Sequence, residues 1–316
     1  MRVCMMIEGQ EDVTWDQWLA LALACEEHGL DGLFRSDHYA PIGSGPDSGS
    51  LDAWAVLTAL AARTERIRLG TLVSPVTFRH PSVLAKMAVT ADHVSGGRIE
   101  VGMGAGWYHA DHETYGFTFP DARTRIRMLA EQLEIMHRQW SEDEFSFQGQ
   151  HYVLEGCRAL PKPVQRPHPP VIVGGSAGPA TARLAARWAD EYNTVSAPAE
   201  ECARRRRVVA EAWERADRDP ATLRFSLMTG CIVGTDRDEV LDRARRVQEH
   251  RRSADDPADL LRATAAEWIT GTVEEVVTRL QTLEAAGVDR VMLQHLAHDD
   301  VDMVALVGRE VVPAVA

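Results

Sequence analysis

Residues Val101–Gly116 read VGMGAGWYHADHETYG, and how they are read decides which α/β fold the chain adopts. A β-rich run, Arg98-Ile99-Glu100-Val101, opens into Gly102, Gly104 and Gly106, as a dinucleotide-binding turn begins. The position that should hold the third glycine of G-x-G-x-x-G is Trp107. The stretch is therefore either a Rossmann turn lacking one glycine or a glycine loop with another purpose.

The flanking sequence bears on that choice. Short β-rich runs alternate with amphipathic helices along the whole chain. Strands are predicted at Val3–Ile7, Gly32–Ser36, Ile67–Val73, Ile99–Val101, Val171–Val173, Glu191–Val195, Phe225–Val233 and Arg290–Gln294. Between the first two, TWDQWLALALACEEHG carries an apolar face of Trp15, Trp18, Leu19, Ala22 and Leu23, with Thr14 as cap and Gly29 as stop. Near the end, GTVEEVVTRLQTLEAAGVDRVML repeats the design, from the Thr272 cap through Gly287 into the last strand. Eight such repeats imply a parallel sheet closed into a (β/α)8 barrel, with an open doubly wound sheet as the alternative.

The spacing is uneven. About 70 residues separate the fourth and fifth strands, and alternation around Gly149 predicts a hairpin from Phe145–Phe147 and His151–Val153. The stretch 237–270 is long enough for an extra helix. No Gly/Ser linker flanks either segment, so the chain is read as one domain, 1–316, with insertions near 141–168 and 237–270. Net charge −13 argues against a general nucleic-acid binder. No apolar run reaches membrane-spanning length and the N-terminus lacks a signal-peptide pattern, so a cytoplasmic protein with no membrane partner is expected. Five scattered cysteines without C-x-x-C predict buried free thiols.

In a barrel, chemistry sits where strands end. Those ends carry Glu8, Asp37-His38, Leu72-Val73-Ser74, the glycine loop with Trp107, Gly174-Gly175-Ser176, and Val195-Ser196. His38 can exchange a proton near neutrality. Gly174–Gly178 precedes a helix with Arg183 in its first turns and suits a single phosphate. His109, His112 and Glu113 lack the order of a zinc hydrolase motif, so no metal is assigned. The run Arg204–Arg207 is read as a solvated helix face paired i,i+4 (Glu200–Arg204, Glu201–Arg205, Arg207–Glu211), and Trp15, Trp18 and Trp54 as packing residues.

Taken together, GLDGLFRSDHY, TERIRLGTLVSPVTFRHPSVLAKMAVTADHVSGGRIEVGMGAGW, PKPVQRPHPPVIVGGSA, AARWADEYNT and ITGTVEEVVTRLQTLEAAGVDRVML resemble the luciferase-like monooxygenase superfamily. The likeness runs from about Arg2 to Leu293 and is greatest to the branch of F420-dependent oxidoreductases. It implies that the glycine loop (Gly104, Ala105, Gly106) approaches a deazaflavin ring, with Trp107 as a wall, so no Rossmann glycine is missing. It implies that Asp37 and His38 face the ring, with His38 managing the proton, and that Glu8 lies on the substrate face. Leu72-Val73 matches a non-prolyl cis peptide behind the ring, with Ser74 following it. Gly174, Gly175 and Ser176 match the phosphate loop, with Val195 and Ser196 on its far side.

One departure stands out: sugar-phosphate dehydrogenases of this superfamily place a glutamate where Trp107 stands, which points toward a less polar organic substrate. The function implied is hydride transfer between coenzyme F420 and a small organic molecule. An FMN-dependent monooxygenase served by a flavin reductase is the alternative, and a non-enzymatic flavin-binding protein a third reading. A homodimer is implied too, through helices that include SLDAWAVLTALAA.

Overall fold

The computed structural model describes residues 1–316. Eight parallel strands form a closed ring: β1 Arg2–Ile7, β2 Gly32–Arg35, β3 Arg68–Thr71, β4 Ile99–Gly104, β5 Val171–Gly174, β6 Glu191–Val195, β7 Arg224–Gly234 and β8 Arg290–Gln294. Closure is read from the register: Arg2 pairs with Arg290, Ser226 with Arg290, and Arg224 with Glu191. The ring excludes the open sheet, whose first and last strands would be edges. All eight predicted strands are present, with shifted ends. β3 stops at Thr71, and a short strand, Ser74–Pro75, resumes the pairing against Met103 and Gly104 of β4.

Helices cover the barrel for the local reasons expected. Trp15–Glu27 starts at Thr14, whose hydroxyl and the Gln17 side chain form a capping box, and buries Trp18, Leu21, Ala22 and Cys25. Trp15 is only half-buried. Helix Ala53–Ala61 buries Trp54, Val56, Leu57 and Leu60 in this chain's own core, which explains its apolar character on more than one face.

The first insertion holds helix Ala122–Ser141 and an antiparallel hairpin of Phe145–Gln148 with Val153–Cys157. The second holds helices Arg237–His250 and Pro257–Thr264 and a strand not predicted, Ile269–Thr272, which pairs in parallel beside residues Cys231–Gly234 of β7. Of the three pairs expected in the arginine run, Glu201–Arg205 is present and the other two are replaced. Arg204 and Arg205 both bond Glu201, while Glu211 pairs with Arg215 and not with Arg207. Four cysteines are buried; Cys157, on the hairpin, is half-exposed.

The barrel interior is layered. At the strand starts, fully buried Arg290 bonds Glu100 at 2.7 Å and Glu191 at 2.6 Å and lies over the Phe34 ring. Above this plug sit Cys4, Met6, Phe34, Leu72, Ile172 and Met292. The opposite end, where the strands finish, is left for the site.

Candidate active site

The strand ends enclose a cavity of about 540 Å³. Its walls come from the ends of β1 to β7: Glu8, His38, Leu72-Val73, Gly104 to Trp107, Gly174 to Ser176, Val195 and Met228. The Leu72–Val73 peptide bond is cis. Val73 explains the glycines around it. A Cβ on Gly104 would lie 2.5 Å from Val73 Cγ2, one on Gly174 3.1 Å from its Cγ1, and one on Gly102 2.0 Å from the Thr71 carbonyl oxygen. Gly102 and Gly104 thus belong to β4 and make room for the neighbouring chain; among the three, only Gly106 has a positive φ, 78°.

His38 is largely buried and meets the rings of Trp107 and Tyr108 edge-on at 5.8 and 5.7 Å. Its Nδ1 lies 2.6 Å from Asp111 Oδ2, and Asp111 Oδ1 accepts from the Tyr39 and Ala40 amides. Burial opposes charge on the imidazole, but the hydrogen bond and charge of Asp111, with Glu8 and Asp37 further off, raise its pKa above the ordinary value. The same contacts hold the Asp111 carboxyl below its usual range, against the effect of its own burial. With Nδ1 engaged by Asp111, Nε2 is the nitrogen left for a reacting molecule. Glu8 is held by two amides, accepting from Gln10 Nε2 at 2.7 Å and from Gln294.

At the cavity's other end, helix Pro179–Trp188 begins at Gly178, which has no side chain to cap it. Pro179 has no N–H, so the amides of Ala180 and Thr181 are the unsatisfied first-turn donors, and both residues line the cavity. Tyr192 fixes the loop by accepting from the Ala177 amide at 2.8 Å. Neutral donors at a helix start fit one phosphate group. The apolar bulge and glycine strand between that end and His38 fit a flat ring. The residues present therefore match a flavin-type cofactor.

Residues 2–290 match the family described as luciferase-like monooxygenase. The chain belongs to that family. Among its relatives, the F420-dependent glucose-6-phosphate dehydrogenase of Nakamurella multipartita is 29% identical over 314 residues, covering 93% of this chain and 90% of the relative. The F420-dependent glucose-6-phosphate dehydrogenase 1 of Rhodococcus jostii is 30% identical over 317 residues, covering 93% and 92%. In fold, the chain is similar to an F420-dependent secondary alcohol dehydrogenase in complex with an F420-acetone adduct, with TM-score 0.84 at 22% identity over 100% of this chain and 99% of that one. A monooxygenase from Streptomyces bottropensis gives 0.85 at 24% identity over the whole of both.

In this luciferase-like chain, most of the residues singled out from sequence line one cavity, but Asp37, Ser74, Ser196 and Arg183 stand elsewhere. Asp37 is buried behind the wall, where its carboxylate accepts from Ser74 Oγ and Arg79 Nη1, both at 2.6 Å. Ser74 is itself buried and accepts from Trp54 Nε1. Asp37 and Ser74 thus brace the strand ends and do not reach the cavity. Ser196 faces an adjoining chamber, and Arg183 is exposed outside the cavity. His112 bonds Thr77 Oγ1 and the Tyr108 carbonyl, while His109 pairs with Glu113 on the surface. Asp111, between those histidines, is the partner of His38 that sequence reading missed.

Proposed function

We propose that this chain is an F420-dependent oxidoreductase that moves a hydride between the deazaflavin and a small organic substrate. The observation that carries the proposal is the His38–Asp111 pair at one end of a cavity whose other end is a phosphate-sized helix start. Support for F420 over FMN comes from relatives named as F420-dependent and alike over nearly the full chain. When bound, the deazaflavin supplies two-electron hydride chemistry. The chain's own residues do the rest. Val73 and the β4 glycines would support the ring, and the Ala180 and Thr181 amides would hold the phosphate. His38 gives a proton to the substrate heteroatom during reduction, or takes it during oxidation, while Asp111 holds the imidazole's orientation and stabilises its charged form. A homodimer located in the cytoplasm completes this reading.

The test is anaerobic mixing of protein loaded with reduced F420 against ketones, imines, activated alkenes and nitro compounds, following the deazaflavin absorbance. Turnover of at least one class is expected. Tight binding of reduced F420 without turnover of any class would sink the proposal.

A further inference from the structure

Past Glu8 and Trp107, which line both spaces, the cavity adjoins a second chamber of about 340 Å³. Buried side-chain polar atoms nearly always find a hydrogen-bond partner. Here Ser44 Oγ and His298 Nε2 have none, and both residues line this one chamber. Ser44 is 8% exposed and His298 2%, and they arrive from loops after β2 and β8. Two separate loops thus bring unmet hydrogen-bonding atoms to the same space, an arrangement that costs stability unless a ligand completes it.

The charges around that space are mostly negative. Glu8 and Glu11 line it, the first bonded to glutamine amides and the second to the amides of Ile42, Gly43 and Ser44. The one arginine on the lining, Arg251, is exposed and lies over Trp268, and His250 is tied to Asp299 at 3.0 Å. The chain's two lysines, Lys86 and Lys162, bond carbonyls of the Gln139–Leu160 region and do not line the chamber. A phosphate dianion would meet two carboxylates against a single guanidinium. Ile42, Met228 and Leu296 supply apolar surface instead.

We propose that the second chamber is the substrate site, that it selects an uncharged polar organic molecule over a sugar phosphate, and that Ser44 and His298 hold that molecule by hydrogen bonds. The assignment of substrate to this chamber rests on the oxidoreductase reading given above; the selectivity rests on the chamber's own residues. Burial foremost, then the neighbouring His295 and His250, lowers the His298 pKa to about 3, so a neutral ring offers Nε2. This selectivity would part the chain from the sugar-phosphate dehydrogenases it is similar to, in the direction Trp107 already indicates.

The experiment is ligand-observed NMR titration of the protein with glucose, glucose 6-phosphate and 4-hydroxycyclohexanone, with and without F420. Cofactor binding is read separately from deazaflavin fluorescence. Saturable binding of an uncharged probe is expected, about tenfold or more tighter than that of glucose 6-phosphate. Ser44→Ala and His298→Leu should each weaken the uncharged probe about fivefold, while the Tm of the ligand-free protein holds or rises because an unmet polar group has gone. Ser44→Ala removes a single oxygen, so it keeps the test alive if the larger change disturbs folding. Glucose 6-phosphate binding as tightly as the uncharged probes would overturn the inference. So would no saturable binding of either uncharged probe, or unchanged affinity in both variants. Absent F420 binding with the variant effects intact would instead overturn the cofactor reading and leave the chamber's selectivity standing.

Discussion

His38 depends for its chemistry on a residue that sequence inspection passes over. Its position at the end of β2 made it legible, because barrel strand ends are where reacting groups gather. Asp111 lies 73 residues further along the chain, inside a motif that drew the eye to its histidines, and only the fold brings the two together. Asp37, beside His38 in sequence, was expected to face the ring with it, yet alternation along an extended chain turns it to the other side, toward Arg79. Asp111→Asn should remove the largest of the effects that raise the His38 pKa, leaving burial, which lowers it, opposed only by Glu8 and Asp37. The pH limb that reports His38 should therefore move to lower pH in kcat/KM profiles and in imidazole NMR titrations. His38→Ala should cost about 10²–10⁴ in kcat, the range for a lost general acid or base. An unmoved limb in Asp111→Asn would mean that some other group sets it.

Among the elements, the glycine loop shows what pattern reading can and cannot supply. The sequence places three glycines at the end of a strand, but their purpose depends on the neighbouring backbone and the Val73 side chain. Two of them make room for Thr71 and Val73, a contact between strands that no local pattern records. Gly102→Ala should therefore destabilise the protein by about 1–3 kcal/mol in denaturant unfolding, as overpacking does, because its obstacle is a carbonyl that cannot swing away. At the helix start after β5, Ser176→Asp should weaken F420 binding about tenfold or more by setting a carboxylate beside the phosphate, and leave a deazaflavin without phosphate nearly unaffected. Fluorescence titration with both ligands separates these outcomes. The hairpin was legible from alternation about Gly149. Strand Ile269–Thr272 was not, since four residues pairing beside the end of β7 carry too short a pattern to distinguish from a loop.

Across the whole molecule, the eight-fold alternation was enough to indicate a barrel, while its closure needed the register that returns β8 to β1. The plug beneath the site escaped sequence reading for a related reason: Glu100, Glu191 and Arg290 meet only when the ring closes. Burial penalises the Glu100 charge, but Arg290 and Arg68 more than offset this and lower its pKa to about 2, from an ordinary 4.5. Because the folded value is the lower one, this group's stabilisation is present above pH 4.5 and is lost as pH falls toward 2. Arg290→Met should remove the central cation, leaving Glu100 only Arg68 and Glu191 only Arg2 at 3.7 Å, and cost about 3 kcal/mol in urea unfolding at neutral pH. A milder loss would show that water reaches the plug.

The most direct test of the function is a pair of titrations on the whole protein, with F420 and with FMN in the same buffer, following fluorescence of Trp107 and its neighbours. An F420-dependent oxidoreductase should bind F420 tightly and FMN weakly, with F420 quenching reduced by Ser176→Asp. Tight FMN binding with weak F420 binding would contradict it and assign the chain to the reductase-coupled monooxygenases.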